Sequence, residues 1–155
     1  MSAHESPPPD AMLERADALC RDRGVRLTDQ RRRVLEILCA AGRPIGAYEI
    51  LEAMRDALPT VAPPTVYRAL EFLLEQGLIH KLESLHAFVG CAHPEEAHAS
   101  QFLICAECGR VAELDDAAVA RSLKAAAQES GFEARRGVVE VIGTCAGCIL
   151  RATSG

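Results

Sequence analysis

Nowhere does the 155-residue sequence hold an unbroken apolar run of the about eighteen residues that a membrane-spanning helix needs. It also lacks the basic and then apolar leader of an exported protein, because Ser2 to Asp10 is Pro-rich and acidic. A cytoplasmic location with no membrane partner is the expectation. An excess of positive charge is missing too. The net charge is -5, with 11 Lys+Arg against 13 Asp+Glu over residues 1–83 and 6 against 9 over residues 84–155. Any nucleic-acid surface must therefore be a local arrangement of basic side chains.

Apolar residues and cysteine are what the chain has in quantity. Hydrophobic residues make up 49% of it, enough to bury a core in one ordinary domain or two small ones. Seven cysteines without an export signal do not read as a disulfide framework, since the cytosol keeps thiols reduced. Metal binding or redox chemistry is the better use for them.

Helical spacing dominates the first half. Leu13, Ala16 and Leu19 mark a helix from Ala11 to Arg23 that Gly24 stops. Thr28 is placed to cap a second helix, whose stripe is Val34, Leu35, Leu38 and Cys39 and whose end is Gly42, ahead of Pro44. Ala47 to Leu58 forms a third, closed by Pro59. Pro63 and Pro64 open a fourth that runs from Thr65 to Gln76, with Val66, Ala69, Leu70 and Leu73 on one face. Two short β-like runs follow, Leu78 to Leu82 and Ala87 to Cys91. Helices followed at once by a hairpin give the layout of a winged helix-turn-helix over residues 11–91, behind a disordered N-terminus at residues 1–10. Residues 92–100 are polar and read as a linker. Residues 101–155 read strand (Gln101 to Cys105), strand (Gly109 to Leu114), helix (Asp115 to Ser130, with Val119, Leu123 and Ala126 on one face), strand (Gly137 to Ile142). The fold class is α+β. A unit of about 55 residues struggles to bury enough surface by itself, so the second domain needs a staple or a partner.

The staple is visible as two C-x-x-C pairs, Cys105/Cys108 and Cys145/Cys148, one at each end of that domain. Paired two-residue spacings let four thiolates converge on a tetrahedral zinc, and Gly109 and Gly147 relieve crowding at the knuckles. A closed four-thiolate site has no open coordination position, so it stabilises without offering a water for catalysis; no catalytic residue and no small-molecule substrate are expected. A second donor set, His80, Cys91, His98 and Glu113, is gathered around the junction of the two halves, and its mix of imidazole, thiolate and carboxylate also suits zinc. His86 and His93 remain alternatives by the same reasoning. Cys20 and Cys39 lie on apolar helix faces and read as core residues.

Arg26-Leu-Thr-Asp-Gln-Arg31, Pro63-Pro-Thr-Val-Tyr-Arg-Ala-Leu70 with Phe72-Leu-Leu-Glu-Gln-Gly77, His80-Lys-Leu-Glu-Ser84 and the two C-x-x-C pairs together resemble the ferric-uptake-regulator (Fur) family, from about Met12 to Cys148. The resemblance is closest to its zinc-uptake branch. It implies a homodimer that binds double-stranded operator DNA when loaded with metal, with two zinc ions per chain. The structural ion would be held by Cys105, Cys108, Cys145 and Cys148, and the regulatory ion by His80, Cys91, His98 and Glu113. The segment from His93 to Ser100 is not histidine-rich, unlike that of the iron-sensing members, which argues against a separate third site. A thiolate at Cys91 favours zinc over ferrous iron.

By the helix-turn-helix docking rule, the helix from Thr65 to Gln76 enters the major groove, with Arg68 as reader of a guanine and Thr65 and Tyr67 as candidates for base or phosphate contacts, a packing role being the alternative for Tyr67. Tyr48 resembles a family position that approaches DNA, and Arg31 is a candidate phosphate anchor. The expected function is a zinc-responsive repressor with zinc as co-repressor at an interdomain site, controlling zinc-uptake and zinc-homeostasis genes. The rival within the family senses another metal or peroxide. A thiol-disulfide oxidoreductase, the rival among enzymes, is disfavoured by the absence of a thioredoxin-like pattern.

Overall fold

The computed structural model describes residues 7–91, 94–95, 100–135 and 137–155. The chain divides into two units, one spanning Ser6–Ala97 and the other taking up the chain from His98 to Gly155. Residues 1–6 of the expected N-terminal segment, most of the expected linker, and His93 and His98 lie outside the described residues.

In the first unit, α1 (Pro9–Asp22) begins two residues before the expected start, because Pro9 needs no hydrogen-bond acceptor at the first helical position and Asp10 suits the positive end of the helix. It buries Met12, Leu13, Ala16 and Cys20. The helix α2 (Asp29–Ala41) starts at Thr28, whose hydroxyl accepts from the Arg31 N–H at 3.4 Å, and stops at Gly42 with φ 62. Shorter than expected, α3 (Ala47–Arg55) buries Ile50, Leu51 and Met54 before the chain turns through Leu58, whose N–H bonds back to the Met54 carbonyl at 2.9 Å. The fourth helix, α4 (Pro63–Glu75), has no side-chain cap. Pro63 and Pro64 carry no N–H, and the Thr65 N–H is already bonded to the Ala62 carbonyl at 3.0 Å.

A hairpin completes this unit. Its strands β1 (Ile79–Leu82) and β2 (Ala87–Gly90) pair antiparallel, with His80 opposite Val89, and are joined by a 3-10 turn at Glu83–Leu85. Outside the expected elements, Ile45 bridges to Phe88 through two backbone hydrogen bonds of 3.1 and 2.8 Å, tying the wing to the segment before α3. Leu35, Ile50, Met54, Leu70, Leu73 and Ile79 are fully buried at the centre of the core. Four helices and a hairpin around one core make a winged helix-turn-helix.

The second unit is a three-stranded sheet with two helices. Strand β3 (Ser100–Cys105) is central, antiparallel to β4 (Val111–Leu114) and parallel to β5 (Val138–Gly143). Between them runs α5 (Ala117–Glu129), capped by Asp116, whose carboxylate accepts from the Ala118 and Val119 N–H groups at 2.9 and 3.1 Å. A short helix that sequence reasoning did not anticipate, α6 (Ala146–Thr153), follows β5. The expected apolar stripe of α5 is present but is not part of a core within one chain: Val119 and Leu123 are 38% and 46% exposed, and no residue of α5 is buried. Phe102 and Ile104 are the buried large apolar side chains of this unit among the described residues. No helix of the described residues is long and apolar enough to cross a membrane.

Candidate metal centre and nucleic-acid interface

Backbone geometry brings the sulfurs of the four cysteines of the second unit together. Cys105 ends β3, and its N–H and carbonyl are held by the Arg110 carbonyl at 2.9 Å and the Gly109 N–H at 3.0 Å. Gly109 takes φ 75, the left-handed conformation that closes this knuckle at no steric cost. Two residues past the end of β5, Cys145 is the N-cap of α6, and Cys148 lies in that helix's first turn. Because β3 and β5 are parallel, both pairs arrive at the same end of the sheet.

All four sulfurs lie within 4.8 Å of one another. Cys105 Sγ is 3.8 Å from Cys148 Sγ, and Cys108 Sγ is 3.8 Å from Cys145 Sγ. A zinc ion at the centre of a regular sulfur tetrahedron, with Zn–S bonds of about 2.3 Å, requires edges of about 3.8 Å. The donor set therefore fits zinc in number, softness and spacing. Backbone N–H groups of Cys108 and Cys145 pull the Cys105 thiol down to about 6, the latter lying 3.3 Å from Cys105 Sγ. Burial pushes Cys148 up to about 12. Four thiols this close cannot all ionise without a neighbouring cation, and a divalent metal supplies that charge.

The mixed donor set divides between the units. His80, half-buried on β1, and Cys91, buried just past β2, bring their donor atoms within 4.8 Å of each other. The Cys91 N–H is fixed on the Leu78 carbonyl at 2.9 Å. Glu113, half-buried on β4 opposite Phe102, belongs to the second unit. His86 is exposed at the hairpin turn with φ 49. Cys20 and Cys39 belong to neither set, and burial raises both thiols, that of Cys39 to about 11, which leaves them poor nucleophiles.

On α4, burial of Val66, Ala69, Leu70, Phe72 and Leu73 turns Tyr67 and Arg68 outward. Tyr67 is 58% exposed and Tyr48, at the start of α3, 72%; Thr65 is half-buried. The Arg68 side chain makes no hydrogen bond or ion pair among the described residues, whereas Arg32, Arg33, Arg43 and Arg55 are each paired with an acid. An exposed, uncommitted guanidinium next to the exposed Tyr67 phenol on one helix is a surface suited to groove edges and phosphates. Arg31 is differently placed. Its guanidinium lies 3.8 Å over the Phe72 ring and donates to the Arg26 carbonyl at 2.6 Å, an internal role that sequence reasoning did not foresee.

The chain resembles characterised proteins over nearly its whole length. The zinc uptake regulation protein of Escherichia coli (strain K12) is 42% identical over 139 residues, which cover 89% of this chain and 81% of that protein. The solved structure of a zinc uptake regulator complexed with zinc and DNA matches with a TM-score of 0.90 at 39% identity, covering 96% of this chain and 99% of that one. The crystal structure of holo XcZur matches with a TM-score of 0.85 at 43% identity, covering 91% and 99%. The model of the ferric uptake regulator family matches residues 22–142. With the winged helix, the four-cysteine cluster and these likenesses in agreement, the chain belongs to the ferric uptake regulator family.

Proposed function

We propose that this protein is a zinc-responsive repressor that binds double-stranded operator DNA as a homodimer in the cytoplasm and controls genes of zinc uptake and homeostasis. The observation that carries the reading is the joint likeness, in sequence and in fold, to zinc uptake regulators, one of them complexed with zinc and DNA. The site chemistry agrees with it. Two zinc ions per chain are assigned, a structural one on Cys105, Cys108, Cys145 and Cys148 and a regulatory one on His80, Cys91, His98 and Glu113.

Because four thiolates close the first site, the signal is assigned to the second, whose mixed donors bind less tightly and exchange more readily. Zinc there selects the DNA-binding state by its differential affinity for it. The dimer is supported by the second unit's surface: β5 is an outer strand bearing the exposed Val138, Val141 and Ile142, and α5 adds Val119 and Leu123. Apolar area of that extent is normally covered by a partner. Arg68 is the proposed reader of a guanine, with Thr65 and Tyr67 beside it and Tyr48 against a thymine methyl, whereas Arg31, held over Phe72 and on the Arg26 carbonyl, is assigned a stabilising role within the first unit in place of the expected phosphate contact.

The test is operator binding titrated against buffered free zinc, with zinc content measured at each step. Binding should follow occupancy of the second equivalent of zinc per chain. Binding that ignores zinc, or that ferrous or manganous ion promotes better, would overturn the reading.

A further inference from the structure

The four-cysteine cluster has a partner outside itself. Arg151, one helical turn beyond Cys148 on α6, donates from Nη2 to Cys148 Sγ at 2.8 Å. The same helix presents its N-terminus to the site, with Cys145 as N-cap and the Cys145 N–H on Cys105 Sγ at 3.3 Å. Four thiolates around a divalent ion carry a net charge of about -2, and hydrogen bonds from charged donors stabilise such sulfurs.

We propose that Arg151 is a positioning residue for the structural metal: its guanidinium fixes the Cys148 thiolate and offsets part of the site's negative charge, so that the ion is retained. This rests on the zinc reading of the four cysteines given above. The physical basis is that a sulfur whose charge is partly offset by a hydrogen-bond donor is less readily attacked, which slows loss of its metal bond. Arg151 suits the task because its carrier is a helix that begins on one ligand and contains another, so the donor moves with the sulfurs it serves.

The test uses the full-length, zinc-loaded chain and the variants Arg151→Met, which keeps the stem and loses the charge, and Arg151→Lys, which keeps the charge and loses the planar fork. Release of the tightly held zinc to excess strong chelator should be about tenfold faster in Arg151→Met, the lower end of the range for outer-shell partners because this side chain is exposed, with Arg151→Lys in between. In cobalt-substituted protein the thiolate-to-metal charge-transfer band should move to lower energy in Arg151→Met, a signature that a purely architectural role would not produce. Wild-type release with an unmoved band, or equal acceleration in both variants, would overturn the assignment. A wild-type chain that holds no metal on these cysteines would instead remove the zinc reading, and this inference with it; that measurement involves no variant, so the two failures are told apart.

Discussion

Replacing Cys105 with serine should damage the second unit more than replacing Cys108. Structural zinc sites with four thiolates contribute about 10–16 kcal/mol of apparent binding free energy, so each thiolate accounts for roughly 2.5–4 kcal/mol. Loss of one soft donor should therefore weaken zinc binding by a factor of about 100 to 1,000. The two cysteines differ in what can take their place. Cys108 is exposed, so a water can fill the vacated position, whereas Cys105 is buried, and its sulfur also accepts the Cys145 N–H. Cys105→Ser should thus show the whole weakening and Cys108→Ser only part of it. Once the ion is lost, little holds the sheet within one chain, because Phe102 and Ile104 contribute only about 1.5–3 kcal/mol each by burial. Competition with a chelator of known affinity gives the zinc ranking, and amide exchange of β3 gives the structural consequence. The reasoning is refuted if Cys108→Ser is the weaker binder, or if β3 amides stay protected in a zinc-free Cys105→Ser chain.

Three further outcomes are expected. Arg68→Ala should lower operator affinity by about 1–3 kcal/mol with zinc content unchanged, and an equal loss on random DNA would reassign it to a phosphate. Cys91→Ser should leave a folded dimer with one tightly held zinc that fails to bind operator at zinc levels saturating the wild type and recovers in part at higher zinc; superimposable titrations would make Cys91 a core residue. Arg31→Ala should cost the first unit about 1–2 kcal/mol, the sum of the Phe72 stack and the Arg26 hydrogen bond, read as a lower urea midpoint; weaker DNA binding at unchanged stability would instead show that its guanidinium serves a phosphate.

What could be read in advance was local. Thr28 and Gly42 set the ends of α2 through contacts within a few residues of themselves, and the C-x-x-C spacing announced the sulfur tetrahedron because each pair is a single tight turn. What could not be read was nonlocal. The Ile45–Phe88 bridge and the Arg31–Phe72 stack join segments about forty residues apart, and no periodicity records such pairings. The helix α6 has eight residues and no side-chain cap, so neither length nor a capping residue marks it in the sequence. The stripe on α5 has the expected period, but its destination was not legible. Spacing reports that Val119 and Leu123 share a face, but not whether their own chain covers it.

The double proline at the start of α4 has a consequence for how that helix meets a polyanion. Helix tips commonly grip phosphates with free main-chain N–H groups, irrespective of sequence. Here the first three positions offer none: Pro63 and Pro64 have no hydrogen to give, and Thr65 has already given its own to Ala62. The end of α4 is a blunt, non-adhesive prow. Whatever hold it takes on a double helix must come from side chains that can be exchanged one at a time, so the discrimination made there is open to retuning by single substitutions at Tyr67 and Arg68, without rebuilding the backbone that carries them.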